Sequence, residues 1–307
     1  MIGQYLTNLN KNMNTMNTYN RQLASNRRIT KLSDDPVGVI STLDIRAKIR
    51  NIDQYKRNVD DTQAWLIHAE TALMDINESV KSAYEHGLQA ANGTQTDEEK
   101  SAIATYLRQL KEHVFQTGNS TYGNKHLFGG YNTDSAPFVM DGDEVKYNGN
   151  YNLANLTPAE QGKIDAHNQN QINYEIGKNL FMKVSFTGAE VMGTGESNLF
   201  AMFDKMINLL ENGGSTEDIA AETQKFKNKQ NDVLSLLADI GGRSNRLEMV
   251  SERYELDAMN YEMVRANIED IDQSEVIMKF KMAEAVYNAA LSVGSRVIVP
   301  SLVDFLR

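Results

Sequence analysis

The stretch HLFGGYNTDSAPF, residues 126–138, marks the place where the predicted fold changes. Apolar residues follow a helical period before it and alternate as in β-strands after it. Its two consecutive glycines lie between aromatic residues and allow backbone conformations that are closed to other residues. We therefore predict a joint between two domains, with the aromatic rings packed in the seam. The joint residues are Phe128, Gly129, Gly130, Tyr131 and Phe138.

The segment that follows, 136–195, is predicted to be a small inserted domain that contains β-strands. Asn148-Gly149 is a typical two-residue hairpin turn. Apolar and polar residues alternate over 172–176 and again over 180–186, as expected for half-buried strands. The sequence TPAE, which begins at Thr157, has the form of a capping box and predicts one helical turn inside this domain.

Upstream of the stretch, the pattern predicts three helices joined by short turns, over about 2–23, 36–90 and from Asp97 onward. The first helix has a narrow heptad seam, in which Asn20 is the polar exception. Its apolar members are Ile2, Leu6, Leu9, Met13, Met16 and Leu23. Before the second helix, the sequence SDDP has the pattern of a helix cap followed by proline at the first helical turn. We expect an inter-domain joint at this place. That joint consists of Ser33, Asp34, Asp35 and Pro36, and it extends to Val37.

Downstream of the inserted domain, the pattern is again helical. Ser215 begins a predicted helix, and Gly241-Gly242 is expected to break it before one long helical stretch. Apolar residues of that stretch form the second half of the predicted assembly surface. These are Val264, Ile268, Ile271, Ile277, Phe280, Val286 and Val293.

The simplest way to bury these seams is to pack the two ends of the chain together as antiparallel helices. We predict a mainly α fold: an elongated antiparallel coiled-coil rod with an inserted α+β domain. The predicted domains are 1–35 with 265–307, 36–135 with 196–264, and 136–195. On pattern alone, a self-contained bundle and a chain that packs against further copies fit equally well. Because the terminal seams are too narrow to offset the ordering entropy alone, the second interpretation is favoured.

Composition excludes several functions. The chain has no cysteine and a net charge of −10, which argues against thiolate metal sites and nucleic-acid binding. The five histidines lack the spacing of a metal pair, so we expect no catalytic, metal or cofactor site. The polar N-terminus lacks the apolar core of a cleaved secretory signal, which alone would indicate a cytoplasmic protein. The fourteen methionines are interpreted as gap-filling core residues along the helical seams.

Four stretches resemble the terminal signatures of the flagellin family. Two of them lie near the N-terminus: RQLASNRRITKLSDDPVGV from Arg21 and RNIDQYKRNVDDTQAWLIHAETAL from Arg50. The other two are GGRSNRLE from Gly241 and NIEDID from Asn267. The sequence SDDPVG and the stretch 126–138 are similar to the branch of the family that stands between hook and filament. This chain departs from the pattern at Leu32, where the family often has proline, and at Pro300.

The resemblance implies a structural, non-enzymatic part of the bacterial flagellum. It implies export through the flagellar type III apparatus, cytoplasmic residence before export, and self-assembly outside the cell through the terminal helices. The implied partners are further copies of the chain, hook-associated protein 1, flagellin and an export chaperone. The expected chaperone-binding residues are Phe280, Val286, Ala289 and Val293. Flagellin itself, or another type III-exported coiled-coil tip protein, is the alternative.

Overall fold

A computed structural model describes residues 2–92, 95–142 and 144–297, and its architecture is mainly helical, as predicted. The long helices come from both ends of the chain, and short hairpins lie between them. The helices are α1 (Ile2–Ser25), α2 (Pro36–Ala91), α3 (Asp97–Gly118), α4 (Pro158–Gln169), α5 (Gly188–Met192), α6 (Leu199–Glu211), α7 (Thr216–Glu269) and α8 (Gln273–Val297). The strands are β1 (Thr121–Tyr122), β2 (Lys125–His126), β3 (Phe138–Asp141), β4 (Glu144–Tyr147), β5 (Asn173–Gly177) and β6 (Leu180–Lys183).

The chain divides into two compact units. The terminal unit comprises Met1–Asp53 and Tyr254–Arg307, and the middle unit comprises Gln54–Arg253. The finer division into three domains stays a prediction. Within the described ranges, none of the helices is sufficiently long and apolar to cross a membrane.

The core of the middle unit is built on two heptad series. On α2 the fully buried residues recur at steps of three and four, beginning at Val59 and Thr62. They continue as Leu66, Ala69, Leu73, Ile76, Val80 and Ala83. On α7 the buried side chains recur every seven residues, which keeps one face of the helix turned to its neighbours. They are Ile219, Phe226, Val233, Ile240 and Leu247.

Gly87 continues the α2 series at a point where a side chain does not fit. A Cβ atom at this position would lie 2.6 Å from the Thr223 hydroxyl oxygen on α7. The two helices therefore approach closely there, and the glycine, which is costly inside a helix, is used for contact rather than for flexibility.

The hairpins of the middle unit are all antiparallel and two-stranded. The β5–β6 hairpin confirms the predicted strands, although β6 ends at Lys183 and not at 186. The hairpin predicted around Asn148-Gly149 is wrong in its position, because β3 pairs with β4 through the turn that contains Gly142. Asn148 and Gly149 do adopt the left-handed backbone that such a turn needs, with φ of 50° and 71°. They close only a single bridge between Tyr147 and Tyr151.

Two predicted features of the C-terminal helices are wrong. The expected break at Gly241-Gly242 does not occur, because buried Ile240 and Leu247 hold α7 in one continuous helix. The cost of two glycines, about 1 kcal/mol each, is smaller than what this packing contributes. A break occurs instead after Glu269. Asp272 caps α8 there by accepting a hydrogen bond of 3.1 Å from the Glu275 amide.

The predicted helix starts are confirmed. The Thr157 capping box is complete, but the helix it begins, α4, is twelve residues long rather than one turn. The Ser215 hydroxyl accepts a hydrogen bond from the Asp218 amide at the start of α7. The α3 helix begins at Asp97, as predicted, behind a second complete capping box on Thr96.

In the terminal unit, α1 and α8 lie antiparallel. The Tyr5 hydroxyl near the start of α1 donates a hydrogen bond of 2.8 Å to the Ala290 carbonyl oxygen near the end of α8. At the opposite end, the Gln273 side chain donates to Asn26 at 3.0 Å. Gly294 lies directly against the Tyr5 ring, where a Cβ atom would clash.

Candidate functional site

The predicted α1 seam divides between two faces of the helix. Leu9, Met16 and Leu23 are half-buried, whereas Leu6 and Met13 are exposed. The side chain of Ile2 lies outside the described residues. The seam is therefore only partly used within the chain, and its outer residues are open to another molecule.

The predicted C-terminal residues are largely exposed as well. Val264, Ile277, Val286 and Val293 have 45–55% of their surface open to solvent, and Ala289 is also exposed. Ile268, Ile271 and Phe280 are half-buried. The buried apolar residue at the start of α8 is Val276.

The structure adds an apolar stripe that sequence reasoning missed. Leu256, Met259 and Met263 on α7, together with Met278 and Met282 on α8, are each 56–63% exposed. The interpretation of the methionines as core is thus wrong for these residues and for several others. The available signal was the seven-residue step from Met249 to Leu256 to Met263, one of two heptads that share α7.

We call the exposed apolar residues of α1, α7 and α8 in the terminal unit the terminal apolar surface. Its members are Leu6, Met13, Leu256, Met259, Met263, Val264, Ile277, Met278, Met282, Val286, Leu291 and Val293. The buried hydrophobic residues described in the same unit are far fewer: Ile29, Ile45, Ile52, Tyr254 and Val276. Exposed apolar residues thus outnumber buried ones in this unit, and a large amount of exposed apolar surface is typical of an interaction site.

The joint at 33–36 is held by two carboxylates with separate roles. Asp34 accepts hydrogen bonds from the backbone amides of Thr30 and Lys31, at 3.1 and 2.8 Å. These amides lower the pKa of Asp34 below its ordinary value. Asp35 caps α2 by accepting from the Gly38 amide at 2.9 Å, and this bond lowers the pKa of Asp35. Ser33 and Pro36 are exposed on either side of the pair.

A buried carboxylate from the other end of the chain completes this joint, and sequence reasoning missed it. Glu269, at the end of α7, is 5% exposed. It accepts hydrogen bonds from the Arg46 guanidinium and pairs with Arg27 at 3.1 Å. The Arg28 backbone amide donates to the Glu269 carbonyl oxygen at 2.7 Å. Arg27 and Glu269 lie in the two signature stretches that begin at Arg21 and Asn267, but neither stretch indicates by itself that these residues pair.

Arg28 links the Asp35 carboxyl group of the joint to the end of α7. Its guanidinium donates to the Ile268 carbonyl oxygen at 2.9 Å and to Asp35 at 3.2 Å. A single antiparallel bridge joins Arg27 to Asp270 beside it. The segment between α1 and α2 is therefore bonded to the α7–α8 connection at several points.

The residues predicted at 128–138 lie together in the middle unit, with one correction. Phe128 and Phe138 are buried, and the Phe138 ring lies 5.6 Å from Tyr147 and 5.5 Å from Phe200. Tyr131 is 67% exposed, so the expectation that its ring packs in the seam is wrong.

One of the paired glycines of this stretch has the predicted conformational role. Gly130 has a left-handed φ of 65°, and its amide donates to the Phe186 carbonyl oxygen at 3.2 Å. Gly129 forms a bridge with Thr187.

Titratable groups in the described ranges act mainly as caps and ion pairs. No group of three or more histidine, aspartate or glutamate residues suited to a metal ion occurs within these ranges. Asp34, Asp35 and Asp272 each accept backbone amide hydrogen bonds.

Known proteins resemble the chain along most of its length. Residues 2–133 match the bacterial flagellin N-terminal helical region. Flagellar hook-associated protein 3 of Escherichia coli K12 is 26% identical over 285 residues, 89% of this chain and 87% of that protein. Flagellin of Bacillus subtilis is 25% identical over 320 residues, with 95% and 94% covered.

A solved structure shares the fold. A flagellar hook-associated protein from Vibrio parahaemolyticus, 23% identical, superimposes with a TM-score of 0.66 over 77% of this chain and 100% of that one. Residues 2–133 are thus similar to the flagellin N-terminal helical region, and the chain is similar in sequence to flagellar hook-associated protein 3 along most of its length.

Proposed function

We propose that this chain is a structural component of the bacterial flagellum that joins the hook to the flagellin filament. The observation that carries the proposal is the terminal apolar surface, which leaves the helices of both chain ends short of partners. The similarity to hook-associated protein 3 supplies the setting in which those partners occur. The role is mechanical and not enzymatic.

The mechanism is folding coupled to assembly. A lone helix such as α1, with a narrow apolar stripe and a polar remainder, gains too little from burial to offset its ordering. Copies placed side by side would bury the terminal apolar surface against each other. We expect the predicted assembly residues to make these contacts: those from Ile2 to Leu23, and those from Val264 to Val293 near the C-terminus.

The two joints would transmit this contact to the rest of the chain. The hydrogen-bonded segment at 33–36 fixes where α2 begins relative to α1 within the terminal unit. The glycine-containing stretch at 128–138 connects β2 to β3 and is held by the hydrogen bond from the Gly130 amide to Phe186. We propose that these segments set the orientation of successive layers in the assembled structure, with the segment 136–195 as an outer domain.

Before assembly, the same apolar residues would need cover. We propose that a flagellar export chaperone binds α8 at Phe280, Val286, Ala289 and Val293, three of which are exposed. The chain would then leave the cell through the flagellar type III apparatus. Hook-associated protein 1 would receive it on the hook side, and flagellin would follow it on the filament side.

Flagellin is the second candidate, because a flagellin is 25% identical over nearly the full length of the chain. The two functions differ in abundance and in self-sufficiency. A filament subunit is produced in bulk and forms long homopolymers, whereas a junction protein is scarce and does not grow filaments by itself.

Deletion of the gene separates the candidates. We expect deleted cells to carry hooks without filaments and to lose flagellin to the medium. Normal filaments on the hooks of deleted cells would refute the junction role. If the filament protein were absent from both cells and medium, the chain would instead be the filament subunit, flagellin.

Complementation then tests the surface. The double variant Leu6→Asp/Met13→Asp should fail to restore filaments, because charge cannot be buried between apolar helices. The matched control Thr7→Asp/Asn14→Asp adds the same charge to exposed polar positions of the same helix. It should restore filaments, and equal failure of both variants would refute the role given to the apolar residues.

A further inference from the structure

Lys229 is a buried amine without a hydrogen-bonding partner in the described part of the chain. It lies on α7 in the middle unit and is 4% exposed. Its Nζ atom lies against Gly193, so that a Cβ atom at that position would be 3.0 Å away. Lysine is almost never buried to this extent unless it is paired, and this residue needs a separate explanation.

The neighbouring acidic groups do not neutralise Lys229. Glu196 and Glu222 both pair with Lys225, at 3.2 and 3.3 Å, and Glu222 also pairs with Lys205. Asp232, one turn along α7, is exposed and acts on the amine only at a distance. Burial lowers the pKa of Lys229 to about 8, and the charge of Asp232 opposes this effect.

A cavity of about 200 Å³ lies beside the lysine. Met202 lines it from α6, and the remaining lining residues are polar or charged: Glu196, Ser197, Lys225, Asn228, Lys229 and Asp232. A water molecule needs only roughly 10–15 Å³ of such volume. The cavity therefore has room for a small acyl group attached to the amine.

We propose that Lys229 is an acylation site that reacts with small activated acyl donors, such as acyl phosphates, and holds the product in this cavity. The Nζ lone pair attacks the acyl carbon and forms an amide bond. The bond from that carbon to the phosphate oxygen breaks, inorganic phosphate leaves, and one amine proton passes to water. The product is neutral, so the reaction removes an unpaired charge from the interior.

The test uses acetyl phosphate on the purified full-length chain at pH 7.5, with site-resolved mass spectrometry. At this pH roughly a quarter of amines of pKa about 8 are unprotonated, against on the order of 0.1% for an ordinary lysine. A lower pKa also reduces intrinsic nucleophilicity, which offsets part of this advantage. We expect Lys229 to react at least tenfold faster than Lys178, which is exposed in the turn between β5 and β6.

Two further measurements distinguish acetylation that depends on the folded environment of Lys229 from unselective acetylation of lysines. Asp232→Asn removes the charge that raises the pKa of Lys229, so acetylation of Lys229 at pH 7.5 should accelerate severalfold. Glu248→Gln removes one exposed charge elsewhere on α7 and should leave the rate unchanged. In 8 M urea the preference for Lys229 should disappear.

The proposal is overturned if Lys229 in the folded chain reacts no faster than Lys178, or if Asp232→Asn has no effect on its rate. Complete protection of Lys229 would equally overturn it, since the cavity would then be closed to the reagent. All of these measurements use the unassembled chain, so they are independent of the role proposed for the terminal apolar surface.

Discussion

Removal of the Glu269 charge should loosen the joint of the terminal unit. The variant is Glu269→Gln, which keeps the shape of the side chain and an acceptor oxygen but deletes the carboxylate. In the folded chain this group is 5% exposed and is bonded to Arg46 and Arg27. Hydrogen bonds to charged groups contribute about 1.5–3 kcal/mol each, and breaking a buried ion pair costs about 3–5 kcal/mol. Because both arginines are partly exposed, we expect a loss of about 2–4 kcal/mol.

Amide hydrogen exchange measures this loss locally. A change of 2–4 kcal/mol corresponds to exchange faster by about 30- to 700-fold where local opening controls exchange. We expect this acceleration in peptides that contain Arg28 or Asp270, whose amides bond within the joint. Asp44→Asn is the matched control, since Asp44 is an exposed partner of Lys48 in the same unit and such pairs contribute about 0–1 kcal/mol. Equal exchange in the two variants would refute the role assigned to the buried carboxylate.

Three further predictions concern single residues. Asp34 has a lowered pKa, so its hydrogen bonds stabilise the joint fully at pH values above the ordinary aspartate pKa. This stabilisation is lost as the pH falls through the folded-state pKa. In a carboxyl NMR titration the midpoint of Asp34 should lie below 3.8 in the folded chain and return to that value in urea. Lys229→Met should raise the free energy of unfolding at pH 7 by up to about 3 kcal/mol. The native chain should gain stability as the pH rises from 8 to 10.5, and the variant should not. Urea titrations at both ends of that pH range measure the difference. Gly87→Ala should destabilise the chain by about 1–3 kcal/mol, because the added methyl group would collide with Thr223. Gly162→Ala in α4 has open space around the new methyl group and should stabilise the chain slightly. Thermal melts that rank the two variants in the opposite order would contradict the close approach of α2 and α7.

Periodicity was sufficient to predict the long helices, because their core residues recur at heptad spacing over many turns. The capping signals at Asp35, Thr157 and Ser215 depend on local hydrogen bonds, so the sequence alone located them correctly. Gly241-Gly242 misled the prediction, since local helix propensity is weaker than the packing of Ile240 and Leu247 on either side.

The features that remained hidden depend on contacts between distant parts of the chain. Glu269 meets Arg46 across 223 positions of sequence, and no local pattern encodes that pairing. Asn148-Gly149 has the right backbone for a hairpin, but the strands that pair are chosen by the packing of Phe138 and Tyr147. The exposed methionines of α7 could not be told from core residues, because two heptad series share this helix and the sequence does not indicate which series faces inward.

The central claim is that other copies cover the terminal apolar surface in the flagellum, and methionine oxidation measures this directly. Met263, Met278 and Met282 should be oxidised rapidly by dilute hydrogen peroxide in the free chain, because all three are exposed. In hook–filament structures isolated from cells, their oxidation should slow at least tenfold, while Met140 on the β3–β4 hairpin should keep its rate. Unchanged oxidation of the three terminal methionines in the isolated structures would contradict the claim.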